Sequence, residues 1–292
     1  MSRDNSGGVN SSLSEKRDCL LKTLENTGGC VIAFSGGVDS SLLLAAAVRV
    51  LGKEVEAVTV NTPYFPGWEL RESRELAASL GAELHVIEMD LPEELEENPE
   101  QRCYICKGRI FSRIEAHGHS RGKTVLMDGS NADDGKAYRP GMQALKEMGV
   151  RSPLAECGFT KNDVRELAKI WNLDVWNKPA YSCLLTRLPH GTGVDAELLR
   201  RVEGAEEFLI HEGFPAVRVR THGDKGDIAR IEIPPWEREE FCRIDRMDRV
   251  DEGLRKLGYR YVTLDLAGYR SGSMDPESAH KRQKEHKRHR GE

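Results

Sequence analysis

Three groups of residues in this chain could do chemistry. The first is a set of thiols: Cys103 and Cys106 in Arg102-Cys103-Tyr104-Ile105-Cys106-Lys107, and Cys183 in Ser182-Cys183-Leu184-Leu185-Thr186-Arg187. A lone CxxC is compatible with a redox pair, half of a zinc site, or no function. A structural zinc site wants four closed ligands, and the sequence has no second CxxC. Three cysteines could instead hold three irons of a [4Fe–4S] cluster and leave the fourth open. Alternatively, Cys183 alone could be a nucleophile or sulfur donor, with Arg187 lowering its pKa. The second group is Ser35-Gly36-Gly37-Val38-Asp39-Ser40. Adjacent glycines let a backbone approach an anion closely, and a helix starting there would point N–H groups and a positive dipole end at it. Asp39 could hold Mg²⁺ or merely complement that dipole. The third group is Arg218 and Arg220, two apart on one strand face, which could grip a phosphate with Arg187 as a third cation. The alternative for these arginines is a surface charge balanced by Glu232.

These residues need a scaffold. Val31–Phe34 reads as a buried parallel strand that breaks at Ser35, followed at once by an apolar helix. Further strands are expected at Val55–Val60, Glu83–Ile87 and Thr124–Met127, with helices near Ser14–Glu25, Glu69–Leu80 and Arg102–Ile114. Alternating strands and helices imply an α/β fold with a doubly wound parallel sheet. Ligands of such sheets sit beyond the carboxyl ends of the strands. That expectation gathers Ser35–Ser40, Asn61-Thr62 and Asp128-Gly129-Ser130-Asn131-Ala132-Asp133-Asp134 around one crevice, with Asn61 and Thr62 bordering a ligand or simply ending a strand. Asp133 and Asp134 could hold Mg²⁺ or close an Asx-turn and a helix cap. Thr160 should cap a helix with Asp163 at N3, and Trp171 on its apolar stripe reads as core.

After Pro189 the texture changes to a smaller α+β unit. Asp195–Glu212 reads as a charged amphipathic helix. Val217–Thr221 and Ala229–Ile233 alternate with period two, as a half-buried antiparallel hairpin should. Their arginines and Glu232 would project from the polar face. A helix over Trp236–Leu257 and a strand Tyr261–Leu266 complete the unit. The expected division is 1–13 disordered, 14–190 a nucleotide-binding domain, 191–270 a C-terminal α+β domain with an antiparallel sheet, and 271–292 a charged flexible tail.

The chain has 292 residues, 31% of them charged, and a net charge of −5. From Pro276 onward it carries six basic and three acidic side chains, so the remainder bears −8 and nucleic acid is an unfavoured partner. No apolar run approaches the roughly 18 residues that span a bilayer, so no membrane association is expected. No signal peptide is recognisable at the N-terminus. Seven cysteines form no dense disulfide framework, which favours a reducing, cytoplasmic setting. Cys19, Cys30, Cys157 and Cys242 read as small buried residues.

The six residues SGGVDS resemble the pyrophosphate loop of the N-type ATP pyrophosphatases, which implies cleavage of ATP between its α and β phosphates. Together with RCYICK, DGSNADD, YRPG, VRSPLAECGFTKNDVRELA, Cys183–Gly191, RVR and YVTLDLAGYRSGSM, they are similar to the LarE family. These are ATP-dependent sacrificial sulfur transferases that build the nickel-pincer nucleotide cofactor of lactate racemase. The similarity runs from about residue 14 to residue 274. It implies adenylylation of a carboxylate of pyridinium-3,5-biscarboxylic acid mononucleotide, then displacement of AMP by a protein-held sulfur. It also implies ATP binding by Ser35, Gly36, Gly37, Asp39, Ser40, Asn61, Thr62 and Gly129, Mg²⁺ on Asp39, and substrate contacts from Arg187, Arg218 and Arg220. In the single-cysteine branch the residue matching Cys183 surrenders its sulfur and becomes dehydroalanine. In the other branch Cys103, Cys106 and Cys183 bind a [4Fe–4S] cluster, and the presence of all three points there. Ala137, His190 and Asp275 depart from the family's usual residues. Expected partners are the pyridinium mononucleotide, a sulfur source, the carboxylase and nickel-inserting enzymes of the same pathway, and further copies of the chain in a homo-oligomer. A tRNA thiolase of the pyrophosphate-loop class, an amide-forming synthetase, and a non-enzymatic nucleotide-binding iron–sulfur regulator are the competing readings.

Overall fold

The computed structural model describes residues 12–134, 140–223, 225–270 and Met274. The N-terminal stretch, most of the charged tail, and Ala137, Tyr138, Arg139 and Asp275 lie outside these residues. The chain forms two compact units, one comprising Met1–Asn61, Glu69–Glu88 and Cys103–Lys178, the other Thr62–Trp68, Met89–Arg102 and Pro179–Glu292.

The first unit is built on a four-stranded parallel sheet: β1 Cys30–Ala33, β2 Val55–Asn61, β3 Leu84–Glu88 and β4 Leu126–Met127. The order is β3-β2-β1-β4, with Val31 against both Glu56 and Leu126. Helices α1 Leu13–Glu25, α2 Val38–Leu51, α3 Gly67–Ser79 and α4 Arg102–Ser120 alternate with these strands along the chain. The shorter α5 Pro140–Glu147, α6 Pro153–Glu156 and α7 Lys161–Ile170 follow β4. Burial explains the central helix. Leu42 to Ala47 of α2 are all buried, so its apolar residues run around the whole helix, as suits one enclosed on every side. The first core joins them to Leu20 and Leu24 of α1 and to Val164, Leu167 and Ala168 of α7. Trp171 packs against that core with the Arg49 guanidinium 3.9 Å over its ring. At the start of α7, Thr160 and Asp163 form the expected capping box.

Two cysteine expectations are corrected. Cys19 of α1 and Cys157 after α6 form a disulfide, with Cα atoms 5.9 Å apart. Packing of α1 against α6 brings together residues 138 apart in sequence, and no local pattern announces such a pairing. Cys242 is exposed. Cys30 is buried as expected, and burial pushes its thiol up to about 12.

The second unit holds a small sheet in the order β5-β6-β7: β5 Arg218–His222, β6 Ile228–Glu232 and β7 Tyr261–Leu264. β5 and β6 are antiparallel, with Arg218 opposite Glu232, whereas β7 runs parallel to β6, so the sheet is mixed. Around it lie α8 Ala196–His211, α9 Arg238–Phe241 and α10 Ile244–Lys256. The helix expected over Trp236–Leu257 is broken at Cys242-Arg243, where Arg243 turns extended before α10. Val219, Ala229 and Ile231 share a core with Leu209, Val250 and Leu254. The polar face differs from expectation. Arg218, Arg220 and Glu232 are buried: Arg220 and Glu232 form an ion pair, and both arginines donate to backbone carbonyls. Among the described residues no helix is long and apolar enough to cross a membrane.

Candidate active site

In a sheet ordered β3-β2-β1-β4, the chain reverses direction of progress between β1 and β4. In sheets of this kind ligands bind at that switch point, outside the carboxyl ends of the strands. The loop after β1 is Ser35–Gly37 and the loop after β4 is Asp128–Asp134, so both flank it. Gly36 has φ +67°, and a Cβ there would lie 2.3 Å from Ser73 Oγ. Gly37 is the N-cap of α2, with no side-chain cap. The hydroxyls of Ser40 and Ser41 both donate to the Gly37 carbonyl, at 3.1 and 2.7 Å, and so fix the glycine turn. Ser35 and Ser40 hydroxyls are 3.2 Å apart.

Gly129 closes the crevice from the other side. A Cβ at Gly129 would stand 2.7 Å from the Ser40 nitrogen and 2.9 Å from its Cα. Only a residue without a side chain permits that approach. The Asn131 amide, two residues on, donates to Asp39 Oδ1 at 3.0 Å. Lys161, at the first position of α7, makes an ion pair with Asp39 Oδ2. Lys178 adds a second cation: its ammonium donates to the Gly36 carbonyl at 3.1 Å and pairs with Glu72 at 2.7 Å. Neither lysine nor Asn131 was singled out from the sequence. Lys161 lies 122 residues beyond Asp39, and its local signal was only that of a helix start.

The remaining acids of the β4 loop hold the loop itself. Asp128 accepts from the hydroxyls of Ser130 and Ser152. Asp133 Oδ2 accepts from the Lys161 backbone N–H at 2.9 Å, and Asp134 Oδ2 from the Asn131 N–H at 3.0 Å. These are the turn and cap bonds that Asp forms readily. Asn61 ends β2 with its amide donating to Glu88 at 2.8 Å. Thr62 begins the next unit and is buried, with its hydroxyl lacking a partner.

Cys103 and Cys106 lie one helical turn apart on α4, Cys103 exposed and Cys106 buried, and neither is in a disulfide. Cys183, part-buried, belongs to the second unit and caps the short 3₁₀ turn Leu184–Arg187. Arg187 is fully buried. Its Nε and Nη2 donate to the two oxygens of Glu206, at 2.7 and 2.8 Å. Its Nη1 donates to Ser182 and Thr186 and, at 3.3 Å, to the Cys183 carbonyl. Arg187 thus holds the backbone that carries Cys183. Asn98, with φ +43°, braces the same segment by donating to the carbonyls of Leu185, Leu188 and Pro189.

Arg220 donates from Nε and Nη2 to Glu232 and from Nη1 to the Thr186 carbonyl. Arg230 also pairs with Glu232, at 2.8 Å, and with Asp265. Arg218 differs. It donates to the carbonyls of Val217 and Ala180, lies over the rings of Tyr181 and Tyr269, and has a buried Nε without a partner. Burial, and then the neighbouring Arg187 charge, pull its pKa down from the ordinary value. A guanidinium so placed would gain from an anion.

A β-strand, a glycine turn and a buried helix facing a second loop at the switch point are the arrangement of a nucleotide-binding α/β fold, and the sequence relatives place it in the pyrophosphate-loop class. A family model described as asparagine synthase matches residues 19–133, which run from α1 through the β4 loop. The pyridinium-3,5-bisthiocarboxylic acid mononucleotide synthase of Lactiplantibacillus plantarum is 39% identical over 266 residues, covering 90% of this chain and 95% of its own. An uncharacterized protein of Synechocystis sp. is 37% identical, covering 90% of this chain and 98% of its own. An NH(3)-dependent NAD(+) synthetase of Pyrococcus horikoshii is 32% identical over 37% of this chain and 45% of its own. The chain belongs to the LarE family of ATP-using, sulfur-inserting synthases.

Proposed function

We propose that this enzyme uses ATP to adenylylate a carboxylate of pyridinium-3,5-biscarboxylic acid mononucleotide, releasing pyrophosphate, and then replaces AMP with sulfur to give the thiocarboxylate. A carboxylate is a poor electrophile, and an AMP leaving group supplies the missing driving force. The observation that carries the reading is Asp39, held between Asn131 and Lys161 at the first turn of α2. There the N–H groups of the glycine turn would receive the departing pyrophosphate, with Lys161 and Lys178 beside it.

Magnesium fits this arrangement. Asp39 Oδ2 already binds a cation, the Lys161 ammonium, and Mg²⁺ is commonly held by one or two carboxylates plus phosphate oxygens. Mg²⁺ would supply charge neutralisation of the leaving group. Lys161, released from Asp39, would then be free to reach a phosphate. For the sulfur, Cys103 and Cys106 fit paired ligation, since i and i+3 on a helix share a face. In the family's cluster branch the residue matching Cys183 is the third thiolate, and a [4Fe–4S] cluster so held would supply an open iron for a transferable sulfide. Arg187 orients the Cys183 backbone, and Arg218 is the first candidate for the substrate phosphate. We place the reaction in the cytoplasm. We also propose a homo-oligomeric assembly, which the exposed Trp236, Ile244 and Leu266 favour.

The test is a pyrophosphate-release assay with the pyridinium biscarboxylate, with tRNA, and with neither, alongside anaerobic iron and sulfide analysis and intact-mass measurement. Release with the pyridinium compound alone supports the reading. Release that requires tRNA, or none with any substrate, overturns it. Absence of iron together with dehydroalanine at position 183 after one turnover assigns the sulfur to Cys183 rather than a cluster.

A further inference from the structure

A second cluster of metal-ligating side chains lies in the first unit, away from the crevice. Glu56 is the second residue of β2, His85 the second of β3, and His117 is near the end of α4. One ligand atom from each falls within 4.8 Å of the others. β2 and β3 are parallel with Val58 opposite His85, so Glu56 and His85 point from the same face of the sheet as diagonal neighbours. His117 stands over that face, its Nε2 2.9 Å from Glu56 Oε2, with its ring 4.9 Å from that of His85. Glu56 is buried and the two histidines are half-buried. Burial pushes the Glu56 carboxyl up, but hydrogen bonds from Arg121 and His117 outweigh it and hold it below its usual range.

A hydrogen bond to Glu56 accounts for His117 but not for His85, a second imidazole turned onto the same spot. We propose that Glu56, His85 and His117 form a site for a divalent transition metal of the zinc type. Two imidazoles and one carboxylate are a donor set for such ions, and three protein ligands leave a fourth position for water. Bonds of about 2.0–2.1 Å set tetrahedral ligand atoms about 3.3 Å apart. The Glu56–His117 pair stands at 2.9 Å and all three ligand atoms lie within 4.8 Å of one another, close enough to converge on one ion. Arg121 donates at 3.1 Å to the other oxygen, Oε1, and so orients the carboxylate while leaving Oε2 to the metal. His117 lies 14 residues after Cys103, about 21 Å along the helix axis, so the site is distinct from the thiols. Its effect would be to clamp the C-terminal end of α4 to β2 and the edge strand β3.

The full chain tests this in a Cys103→Ser, Cys106→Ser, Cys183→Ser, Cys242→Ser background, which removes every free thiol except the buried Cys30. After chelator treatment, Co²⁺ is titrated and followed by its visible spectrum. The expected result is one strong Co²⁺ per chain, with no thiolate charge-transfer band, displaced by Zn²⁺. H85Q and H117Q should each weaken it by about tenfold or more. Unchanged Co²⁺ affinity in a folded H85Q chain overturns the site. A measurement on the unsubstituted protein guards against misfolding: diethylpyrocarbonate labelling read by peptide mass spectrometry, with and without Zn²⁺. Zinc should protect His85 and His117 more than His119, His211 and His222. Equal labelling rates at His85 and His117 in both conditions also overturn it.

Discussion

Asp39 sits where two demands meet. The positive end of α2 favours a carboxylate, and Lys161 neutralises it until a better cation or a phosphate arrives. Lys161→Ala should therefore leave the fold intact, since the ammonium is a third exposed, yet reduce pyrophosphate release by about 10²-fold, the order seen on loss of one preorganised charge-stabilising donor. Steady-state pyrophosphate assays check this, with circular dichroism as the control. Glu206 meets a different demand. Burial pushes its carboxyl up, but Arg187's charge and hydrogen bonds, with Arg218 and the Val219 N–H, outweigh it and the net pKa falls below 4.5. A depressed folded-state value means this contribution is fully present above about pH 4.5 and is lost as pH falls through the lower folded value. Glu206→Gln should cost about 3–5 kcal/mol near neutral pH, because it leaves Arg187 buried and unbalanced. Urea unfolding should show that loss, together with a shallower decline in acid.

Elements set how much of this could be read in advance. The glycine turn, the strand–helix alternation and the Thr160–Asp163 capping box are local patterns, so periodicity and residue type found them. The arginine layer under the small sheet was legible only in part. Period two put Arg218, Arg220 and Glu232 on one face, but their burial depends on Ala180 and Thr186 from a separate segment. Lys161, Lys178 and Asn98 were illegible for the same reason, as their partners lie far away along the chain. The close approach of the β4 loop to α2 yields an element-level prediction. Gly129→Ala places a Cβ against backbone atoms that cannot swing aside, so the loop must retreat and carry Asn131 with it. ATP affinity, read by calorimetry, should fall by about tenfold or more while α2 stays folded. Gly36→Ala adds a left-handed conformation to its clash and should cost about 1–2 kcal/mol in thermal or urea unfolding.

At the scale of the whole molecule, the Cys19–Cys157 bond joins two residues of the first unit that lie 138 apart in sequence. Loops of that size restrict the unfolded chain most, so reduction, or Cys157→Ser, should lower stability by about 2–5 kcal/mol. The urea midpoint with and without reductant measures it; identical midpoints would mean the bond does not form in solution. The second unit depends on continuity of another kind, being assembled from three separate stretches. Tyr64 accepts from Leu184, Gly67 donates to Glu203, and Asn98 holds three carbonyls between Leu185 and Pro189. On the ribosome, those early stretches emerge long before what they bind. At about 5–20 residues per second, Gly67 waits some 7–27 s for Glu203, 136 residues later. For that interval the Tyr64 carbonyl lacks Leu184, and the Trp68 ring lacks Tyr181, its neighbour in the finished fold.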